Sequence, residues 1–317
     1  SLEVTILIVL SEGSSKEDYR SALNSMEAYS ALHGYRLRIE SDRKYEECEK
    51  HGDKFFRRHC HTYQMMLNEL PEESWILFVD ADVGVVNPNK LIEDFIEEEY
   101  DIYLYNRFYN WEFAAQYLFK NNERGRDWIK KWADMEFSLP NSFHGTDNGA
   151  LHILMMHYLV PTSITGESSI GEMCQIIWEQ SKNYDDVFTM QACTRMMIGE
   201  RDDFPEHHVK IFPKGKGWAR DAWLLNSRWS MDDFMLHSIK ETNSRTENPE
   251  DPKNIYNFMV PETDRSTDPL AFPVLNITQF EVNTQQWTMD GRLLINNSLR
   301  SYIFRRLTIE KWQQQVK

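Results

Sequence analysis

The stretch from Trp75 to Asp82 (WILFVDAD) constrains the fold more than any other part of the chain. Five consecutive apolar residues lead directly into two aspartates that are separated by a single alanine. A short apolar run of this kind is typical of a strand that is buried on both faces of a parallel sheet. Because open α/β sheets bind ligands beyond the carboxyl ends of their strands, we expect Asp80 and Asp82 to lie in such a crevice.

The spacing of the two acids lets both carboxylates reach the same cation. Carboxylate oxygens suit Mg²⁺ or Mn²⁺, which share their coordination with the phosphates of a substrate. An isolated Asp-x-Asp is more often a solvated turn. Here the buried strand before it and the sequence VGVVNP over 83–88 after it favour a metal–diphosphate site. We therefore predict that Asp80, Ala81 and Asp82 form the donor side of that site.

Hydrophobic patterns around this stretch predict alternating strands and helices. They predict an α/β fold in which a mostly parallel sheet is flanked by helices. We expect one main domain over residues 1–240, with a surface loop and a small C-terminal extension packed on it over 241–317. The predicted strands cover 2–10, 35–39, 75–79 and 101–105, and the predicted helices run from Lys16 to Gly34, over 53–70, from Pro88 through Ile96, over 124–135 and into His152.

The overall charge limits the kinds of partner this chain can have. The formal net charge is -15 at pH 7, which argues against nucleic acid or an anionic membrane as the main partner, since both require a basic footprint. No apolar run is long enough to span a bilayer. The chain begins at Ser1, directly before a strand and without a charged leader, so we expect a trimmed or mature form.

Cysteines and glycosylation acceptors together indicate an oxidising compartment. The four cysteines, Cys48, Cys60, Cys174 and Cys193, form two near pairs whose spacing is compatible with two local disulfides, and no metal-binding CxxC pattern is present. Asn-x-Ser/Thr acceptors occur at Asn276 and Asn296. Each feature is common by itself, but the combination favours the secretory route.

A basic, glycine-containing segment over 214–220 (KGKGWAR) is a candidate for binding phosphate. Backbone N–H groups at its glycines and the ammonium groups of its lysines can approach phosphate oxygens. Further along, His237 ends the apolar stretch that begins at Phe234. A single histidine in such a position is more often a structural residue than a metal ligand, and the residue pattern leaves both readings open.

The segment from His144 to His152 (HGTDNGALH) is a second dense polar cluster. Glycines and small residues around Asp147 and Asn148, entering a helix, indicate backbone that is held close to a ligand. Asp147 could bind sugar hydroxyls or position an acceptor. The alternative is that Thr146 or Asp147 simply caps the helix.

Aromatic residues mixed with charges over 106–112 (NRFYNWE) suit the binding of carbohydrate. Aromatic rings can stack on a sugar while Arg107 and Glu112 bind its hydroxyl groups. An ordinary aromatic edge of the core explains the same pattern equally well.

Together these segments resemble a known family. The sequence over 78–88 (FVDADVGVVNP) is similar to the Asp-x-Asp segment of metal-dependent glycosyltransferases with the GT-A (Rossmann-like) fold. The resemblance is strongest to the family of fungal α-galactosyl- and α-mannosyltransferases and plant xyloglucan xylosyltransferases, in a nematode-type branch. It covers residues 2–240 and is carried, in the same order, by Arg58–Cys60, the central strand, Asn106–Glu112, His144–Gly149 and Phe234–His237.

This resemblance implies a retaining transferase that uses a nucleotide-diphosphate sugar, such as a UDP-sugar, and Mn²⁺ or Mg²⁺. Asp80 would contact the ribose and the metal, Asp82 would chelate the metal, and His237 would be a third protein ligand. Asp147 and Asn148 would lie beside the transferred sugar as catalytic residues. The remaining candidates are Arg58, Lys214, Gly215, Lys216 and Gly217 for the donor, and Arg107, Trp111, Glu112, His144 and Gly145 for the substrate.

The resemblance also implies a setting and a set of partners. It implies a type II membrane protein of the Golgi lumen, whose anchor is absent from this chain, or a secreted protein. The partners would be the donor and a glycan or glycoconjugate acceptor. Galactose is the donor sugar that we favour, although xylose and mannose donors also occur among relatives. Those relatives more often carry Gln where Asn148 stands, which leaves the role of this position open.

Two other classes of protein fit part of the pattern. A Mg²⁺-dependent phosphohydrolase also places two acids after a buried strand, but the sequence over 83–86 lacks the Thr or Ser that usually follows its nucleophile. A secreted, non-catalytic carbohydrate-binding protein would keep the fold and the aromatic patch. A phosphatase assay distinguishes the phosphohydrolase from a transferase, and a measurement of catalytic turnover distinguishes the carbohydrate-binding protein from a transferase.

Overall fold

A computed structural model of the protein describes residues 2–107, 111–165, 169–199, 201–221 and 233–240. The predicted extension over 241–317, with Asn276 and Asn296, lies outside these residues. The strands are β1 (Val4–Leu10), β2 (Arg36–Ser41), β3 (Trp75–Phe78), β4 (Val83–Val85), β5 (Ile102–Tyr105), β6 (Tyr117–Lys120), β7 (Asp203–Phe204), β8 (Val209–Phe212), β9 (Ala219–Asp221) and β10 (Met235–His237). The α-helices are α1 (Arg20–His33), α2 (Lys54–Asn68), α3 (Glu123–Asp134), α4 (Thr146–Leu159), α5 (Thr162–Thr165), α6 (Ile170–Glu179) and α7 (Tyr184–Ile198).

The main sheet has the strand order β2-β1-β3-β6-β5-β8-β7, and helices flank it, so the predicted α/β class is confirmed. The pairing is mixed, because β6 runs antiparallel to both β3 and β5. The segment between β5 and β6 is shorter than the stretch of about a dozen or more residues that a parallel crossover needs, so antiparallel pairing is expected. The aromatic sequence over 107–117 therefore leads into a strand that the sequence analysis did not assign.

Side chains on the central strands alternate between two hydrophobic cores, one on each face of the sheet. On β3, Ile76 and Phe78 pack on the face covered by α2, α3, α4, α6 and α7, while Trp75 and Leu77 pack on the opposite face. This alternation follows from the two-residue period of a strand. The opposite face is covered by α1 and by a second, smaller sheet with the order β4-β10-β9. That small sheet lies directly beside the end of β3.

Helix ends follow local sequence signals in two cases and depart from the prediction in a third. Gly34 ends α1 with a φ of 75°, a conformation that favours glycine. Asp53 caps α2 by accepting the N–H of Phe55 at 2.8 Å. The prediction of a helix after Pro88 is wrong, since only a 3₁₀ turn forms there, over Ile92–Phe95. The Tyr103 hydroxyl contacts both the N–H and the C=O of residue 97, the groups that a longer helix would use.

Both predicted local disulfides are present, and each one joins a helix to a neighbouring element. Cys48 is bonded to Cys60 on α2, and Cys174 on α6 is bonded to Cys193 on α7. The described residues contain no free cysteine. Such bonds form and persist in oxidising compartments. None of the described helices is long and apolar enough to cross a membrane.

Removing the second disulfide should destabilise the fold substantially. The double variant Cys174→Ala/Cys193→Ala opens a loop with a sequence separation of 19 residues. From the chain-entropy cost of closing such a loop, we expect the free energy of unfolding to fall by about 3 kcal/mol. Urea denaturation measures this change, with the wild type in reducing agent as a comparison. An unchanged unfolding midpoint would contradict it.

Candidate metal centre and the groups around it

The small sheet brings His237 beside the two aspartates that follow β3. β10 pairs antiparallel with β4 so that His237 lies opposite Val83, the residue after Asp82. The backbone N–H of Ile239 donates to the carbonyl of Asp82 at 2.8 Å, which fixes the chain beyond β10 against the same turn. The register of two short strands therefore places a histidine next to acids that are distant in sequence.

Three possible metal ligands meet at this point. One ligand atom from each of Asp80, Asp82 and His237 can be chosen so that all three lie within 4.8 Å of one another. The Nε2 atom of His237 lies 3.3 Å from Asp82 Oδ1 and 3.7 Å from Asp80 Oδ2. The two carboxylates suit Mg²⁺ and Mn²⁺, and the imidazole, a ligand typical of transition metals, makes the mixed donor set a better match for Mn²⁺ than for Mg²⁺. The donor atoms thus fit the predicted metal site, although metal binding itself stays a prediction.

The other ring nitrogen of His237 is held by Asp221, at the end of β9. Parallel pairing of β9 with β10 sets these two residues opposite each other, and Nδ1 lies 2.9 Å from Asp221 Oδ1. Burial alone would lower the pKa of His237, but the charges of Asp82 and Asp221 raise it to about 10. The imidazole therefore occupies a place built for positive charge, where a metal ion would bind instead of its proton.

A lysine that the sequence analysis missed completes this side of the site. Lys240 places Nζ 3.3 Å from Asp82 Oδ2, while its side chain remains 42% exposed. Between it and the histidine, Ser238 adopts a φ of 82°, which is rare for a residue other than glycine. Backbone of this kind is often found at functional sites. Lys240 thus places a long, partly exposed cationic side chain next to the proposed metal ligands.

Arg58, on α2, links the aspartate pair to Asp147. Its Nη1 lies 2.5 Å from Asp80 Oδ1, and its Nη2 donates to Asp147 Oδ2 at 2.8 Å. The next residue, His59, contacts the same Asp147 oxygen through Nε2 at 2.8 Å. Asp147 is buried, and burial would raise its pKa, but Arg58 and His59 hold that pKa well below its usual range. Asp147 is therefore an ionised carboxylate at a fixed position.

The residues before Asp147 form the beginning of α4. Gly145 and Thr146 have φ values of 71° and 52°, and the Thr146 N–H donates to His144 Nδ1 at 3.1 Å. Gly149 packs so closely that a Cβ there would lie 2.0 Å from the His144 carbonyl oxygen. His144 and Gly145 thus shape the turn that presents Asp147, and a role in binding substrate stays a prediction.

Arg107 and Glu112, predicted as substrate-binding residues, are part of a polar chain that leads away from the metal centre. Arg107 donates to both carboxylate oxygens of Asp221, at 2.8 and 3.0 Å, and to Glu112 at 2.8 Å. Burial raises the pKa of Glu112, while Arg107 and a hydrogen bond from Gln191 oppose that effect. Gln191 in turn donates to Asn148 Oδ1 at 3.4 Å. This series of hydrogen-bonded side chains therefore connects His237, through Asp221, Arg107, Glu112 and Gln191, to Asn148.

The lysine–glycine segment forms a tight turn against the aromatic residues. The Lys216 N–H donates to the Pro213 carbonyl at 2.9 Å, and Gly215 has the positive φ of 77° that the third position of such a turn favours. Gly217 lies against a ring, since a Cβ there would be 2.4 Å from Tyr105 Cγ. Lys214 places Nζ 4.8 Å from the centre of the Trp111 ring. Contact of this turn with phosphate stays a prediction.

Replacing Asp221 should weaken metal binding without removing a metal ligand. In Asp221→Asn the charged acceptor for the Nδ1–H of His237 is lost, so the imidazole is oriented and polarised less well. We expect Mn²⁺ affinity to fall roughly 10- to 100-fold. Titration followed by electron paramagnetic resonance measures free Mn²⁺, and the exposed Asp203 provides the control variant Asp203→Asn. Equal affinities in both variants would contradict this role.

The comparisons with known proteins identify a family but no activity. A family model described as "Protein of unknown function, DUF273" matches residues 26–253. No curated protein matches this sequence significantly. The solved structure of a glycosyltransferase involved in the glycosylation of the major capsid of PBCV-1 is similar at 15% sequence identity and a TM-score of 0.43, covering 74% of this chain and 92% of that one. A likeness of this size does not define a reaction for this chain.

Proposed function

This chain belongs to the DUF273 family of proteins of unknown function, and we propose that it is a metal-dependent glycosyltransferase. It would move a sugar from a nucleotide-diphosphate donor to a glycan or glycoconjugate acceptor. The observation that carries the proposal is the meeting of Asp80, Asp82 and His237 beyond the end of β3. Carboxylates and an imidazole in that place, beside cationic side chains, suit a metal–diphosphate better than they suit a neutral ligand.

The protein groups around the three ligands support a diphosphate as the substrate. Arg58 contacts Asp80, and Lys240 contacts Asp82. Lys240, whose side chain is 42% exposed, can turn from Asp82 to a phosphate oxygen, and Arg58 can share the Nη1 that contacts Asp80 while its Nη2 stays on Asp147. When bound, Mn²⁺ or Mg²⁺ would supply the charge that stabilises a departing diphosphate. The two cationic side chains would add to that stabilisation from the protein side.

Asp147 fits a positioning role better than a role as covalent nucleophile. Its Oδ2 contacts Arg58 and His59, and its Oδ1 accepts from the Thr146 hydroxyl at 3.3 Å. A carboxylate held on both oxygens is poorly placed to attack a sugar carbon. We favour a retaining reaction with front-face attack by the acceptor hydroxyl, whose proton passes to the leaving diphosphate. Partial rescue of Asp147→Gly by azide would contradict this assignment and indicate a covalent intermediate.

The finer assignments belong to the same proposal. UDP would be the nucleotide, galactose the favoured sugar, and Mn²⁺ the metal. Asn148 would lie beside the transferred sugar, held by Gln191 and by its own hydrogen bond to the Phe113 carbonyl at 3.0 Å. The enzyme would act in the Golgi lumen or after secretion, where its two disulfides persist.

Thermal stability with a panel of nucleotide sugars tests the donor site. UDP- and GDP-sugars are each added with Mn²⁺ and with EDTA, because a ligand that binds the native state raises the melting temperature. We expect a Mn²⁺-dependent rise with UDP-galactose. No rise with any nucleotide, with or without metal, would contradict a nucleotide-sugar site and favour a carbohydrate-binding protein. Hydrolysis of a generic phosphate ester would instead favour a phosphohydrolase.

A further inference from the structure

One face of α7 carries two buried polar side chains whose hydrogen-bonding atoms are not fully used by the described residues. Gln191 and Arg195 are four residues apart on this helix, so they lie on the same face one turn apart. Both belong to the side of α7 that faces Asn148 and Phe113. This places them next to the position where the transferred sugar is proposed to lie.

Arg195 is a buried cation without a carboxylate partner in the described part of the chain. Its side chain is only 6% exposed, and its guanidinium lies 5.1 Å from the centre of the Phe113 ring. The Nη1 atom is buried and has no hydrogen-bond partner among the described residues. Asp202 acts on it electrostatically, but no ion pair joins the two within 4.0 Å. An unpaired buried charge is costly, so such a group is expected to have a partner in the functioning protein.

The orientation of Gln191 is fixed by its neighbours. The Asn148 amide donates from Nδ2 to the Phe113 carbonyl, which can only accept, so Asn148 Oδ1 faces Gln191. Gln191 must therefore present its Nε2 to Asn148. Its Oε1 points away from that bond, is buried, and has no donor among the described residues. One face of α7 thus offers an unused donor from Arg195 and an unused acceptor from Gln191.

A second cation, Lys214, lies near Arg195. Lys214 is half-buried over the Trp111 ring, and it is close enough to Arg195 for the two charges to repel. Burial, followed by the charge of Arg195, lowers the pKa of Lys214 to about 8, and burial lowers the pKa of Arg195 to about 10. The buried charge of Arg195, whose Nη1 has no hydrogen-bond partner among the described residues, is one that a bound anion would stabilise, and Lys214 adds a second positive charge nearby.

We propose that Gln191, Arg195, Lys214 and Trp111 form a subsite for a uronic acid, with Arg195 and Lys214 binding its carboxylate. The proposal rests on the glycosyltransferase function proposed above. The guanidinium of Arg195 matches a carboxylate in geometry and charge. The Oε1 atom of Gln191, which has no donor among the described residues, matches a hydroxyl next to that carboxylate, and the Trp111 ring with Lys214 over it borders the same subsite.

The pairing of an unused donor with an unused acceptor separates a uronic acid from an isolated phosphate ion. A phosphate is largely deprotonated at neutral pH and offers oxygens that mainly accept, so it would leave Gln191 Oε1 without a donor. A uronic acid carries its carboxylate and a hydroxyl on adjacent ring carbons and can serve both atoms. The polar chain through Glu112 and Arg107 connects this subsite to Asp221 and His237. With galactose as the donor sugar proposed above, the uronic acid is the acceptor residue, and a uronate as the sugar of the donor would replace the galactose assignment.

Calorimetric titrations with matched charged and neutral ligands test the subsite and identify its source. The acceptor arm compares a glucuronate-terminated disaccharide with its glucose-terminated equivalent, with and without UDP and Mn²⁺. The donor arm compares UDP-glucuronate with UDP-glucose in Mn²⁺. We expect the charged ligand of one arm to bind roughly tenfold or more tightly than its neutral partner, as hydrogen bonds to charged groups imply.

Two variants connect that preference to the proposed residues. Arg195→Gln should remove most of the preference. Lys214→Met should reduce the preference as well, and because Lys214 is the more exposed residue, this variant tests the subsite if Arg195→Gln folds poorly. Arg201→Gln is the matched control, because Arg201 is exposed and pairs with Glu206 at the surface. The control should retain the full preference. A preference that is equal in all three variants would overturn the assignment of these residues.

The titrations also separate this proposal from the proposed function. No preference in either arm, with Mn²⁺-dependent UDP binding intact, would overturn the uronate subsite and leave the transferase standing. Absence of UDP binding together with an Arg195-dependent preference for the charged disaccharide would overturn the transferase and leave the subsite. Absence of both would overturn both.

Discussion

The variant Asp82→Asn is expected to lose metal-dependent binding of the nucleotide sugar and with it sugar transfer. Asp82 is 6% exposed, and its carboxylate lies within 3.3 Å of both His237 Nε2 and Lys240 Nζ. Burial would raise its pKa, but these two cations hold the pKa well below its usual range, so the group is ionised. Asparagine keeps the size of the side chain and removes the charge that a divalent ion requires.

The expected loss in transfer rate is roughly a thousandfold or more, because metal stabilisation of a leaving diphosphate contributes several kcal/mol. Mn²⁺ titration measures binding, and release of UDP measures the rate. Asp127→Asn is the matched control, since the Asp127 side chain is 66% exposed on α3. Unchanged Mn²⁺ affinity in Asp82→Asn would remove this residue from the metal site.

The variant Arg58→Met is expected to produce the largest loss of stability among single substitutions near the site. Arg58 is the shared partner of Asp80 and Asp147, and the Asp147 side chain is only 3% exposed. Removing the guanidinium leaves a buried carboxylate whose other side-chain contacts are the Thr146 hydroxyl and His59, and burial lowers the pKa of His59 to about 4, so it carries no compensating charge at neutral pH. Breaking a buried pair from one side costs about 3–5 kcal/mol, so we expect the urea midpoint to fall with little change in the m-value.

A double variant and a surface control separate this effect from general loss of packing. In Arg58→Met/Asp147→Asn the buried charge is removed as well, so part of the lost stability should return. Arg201→Met removes a pair with Glu206 in which the two side chains are 53% and 48% exposed, and it should cost at most about 1 kcal/mol. If the double variant were as unstable as Arg58→Met, the buried charge would not be the cause.

The parts of the fold that were predictable from sequence are those set by local pattern. Apolar runs gave the central strands because each is buried on both faces, as the alternation on β3 shows. Gly34 ends α1 where its freedom at positive φ is needed. The helix after Pro88 was predicted wrongly because its apolar spacing is helical, whereas the Tyr103 hydroxyl, a contact from another element, holds the backbone of residue 97.

The candidate site was predictable only where its residues lie together in the sequence. Asp80 and Asp82 stand out because a buried strand precedes them. Asp221 and Lys240 have no such signal, since their positions depend on the register of β9 and β10 and on the chain beyond it. Arg195 lies inside a helix, and only the packing of α7 against Phe113 reveals that its Nη1 has no partner among the described residues. Contacts across the fold, rather than local propensity, place these groups.

Sugar transfer by the purified chain is the measurement that tests the central claim most directly. UDP-galactose, Mn²⁺ and a mixture of neutral and uronate-containing glycans are incubated with the protein, and both UDP release and the mass of the glycans are followed. We expect UDP release that EDTA stops and that Asp82→Asn lacks, together with glycans that have gained a sugar. The account would be contradicted if, across a full panel of donors, the protein bound nucleotide sugars but released no nucleotide and no glycan gained mass.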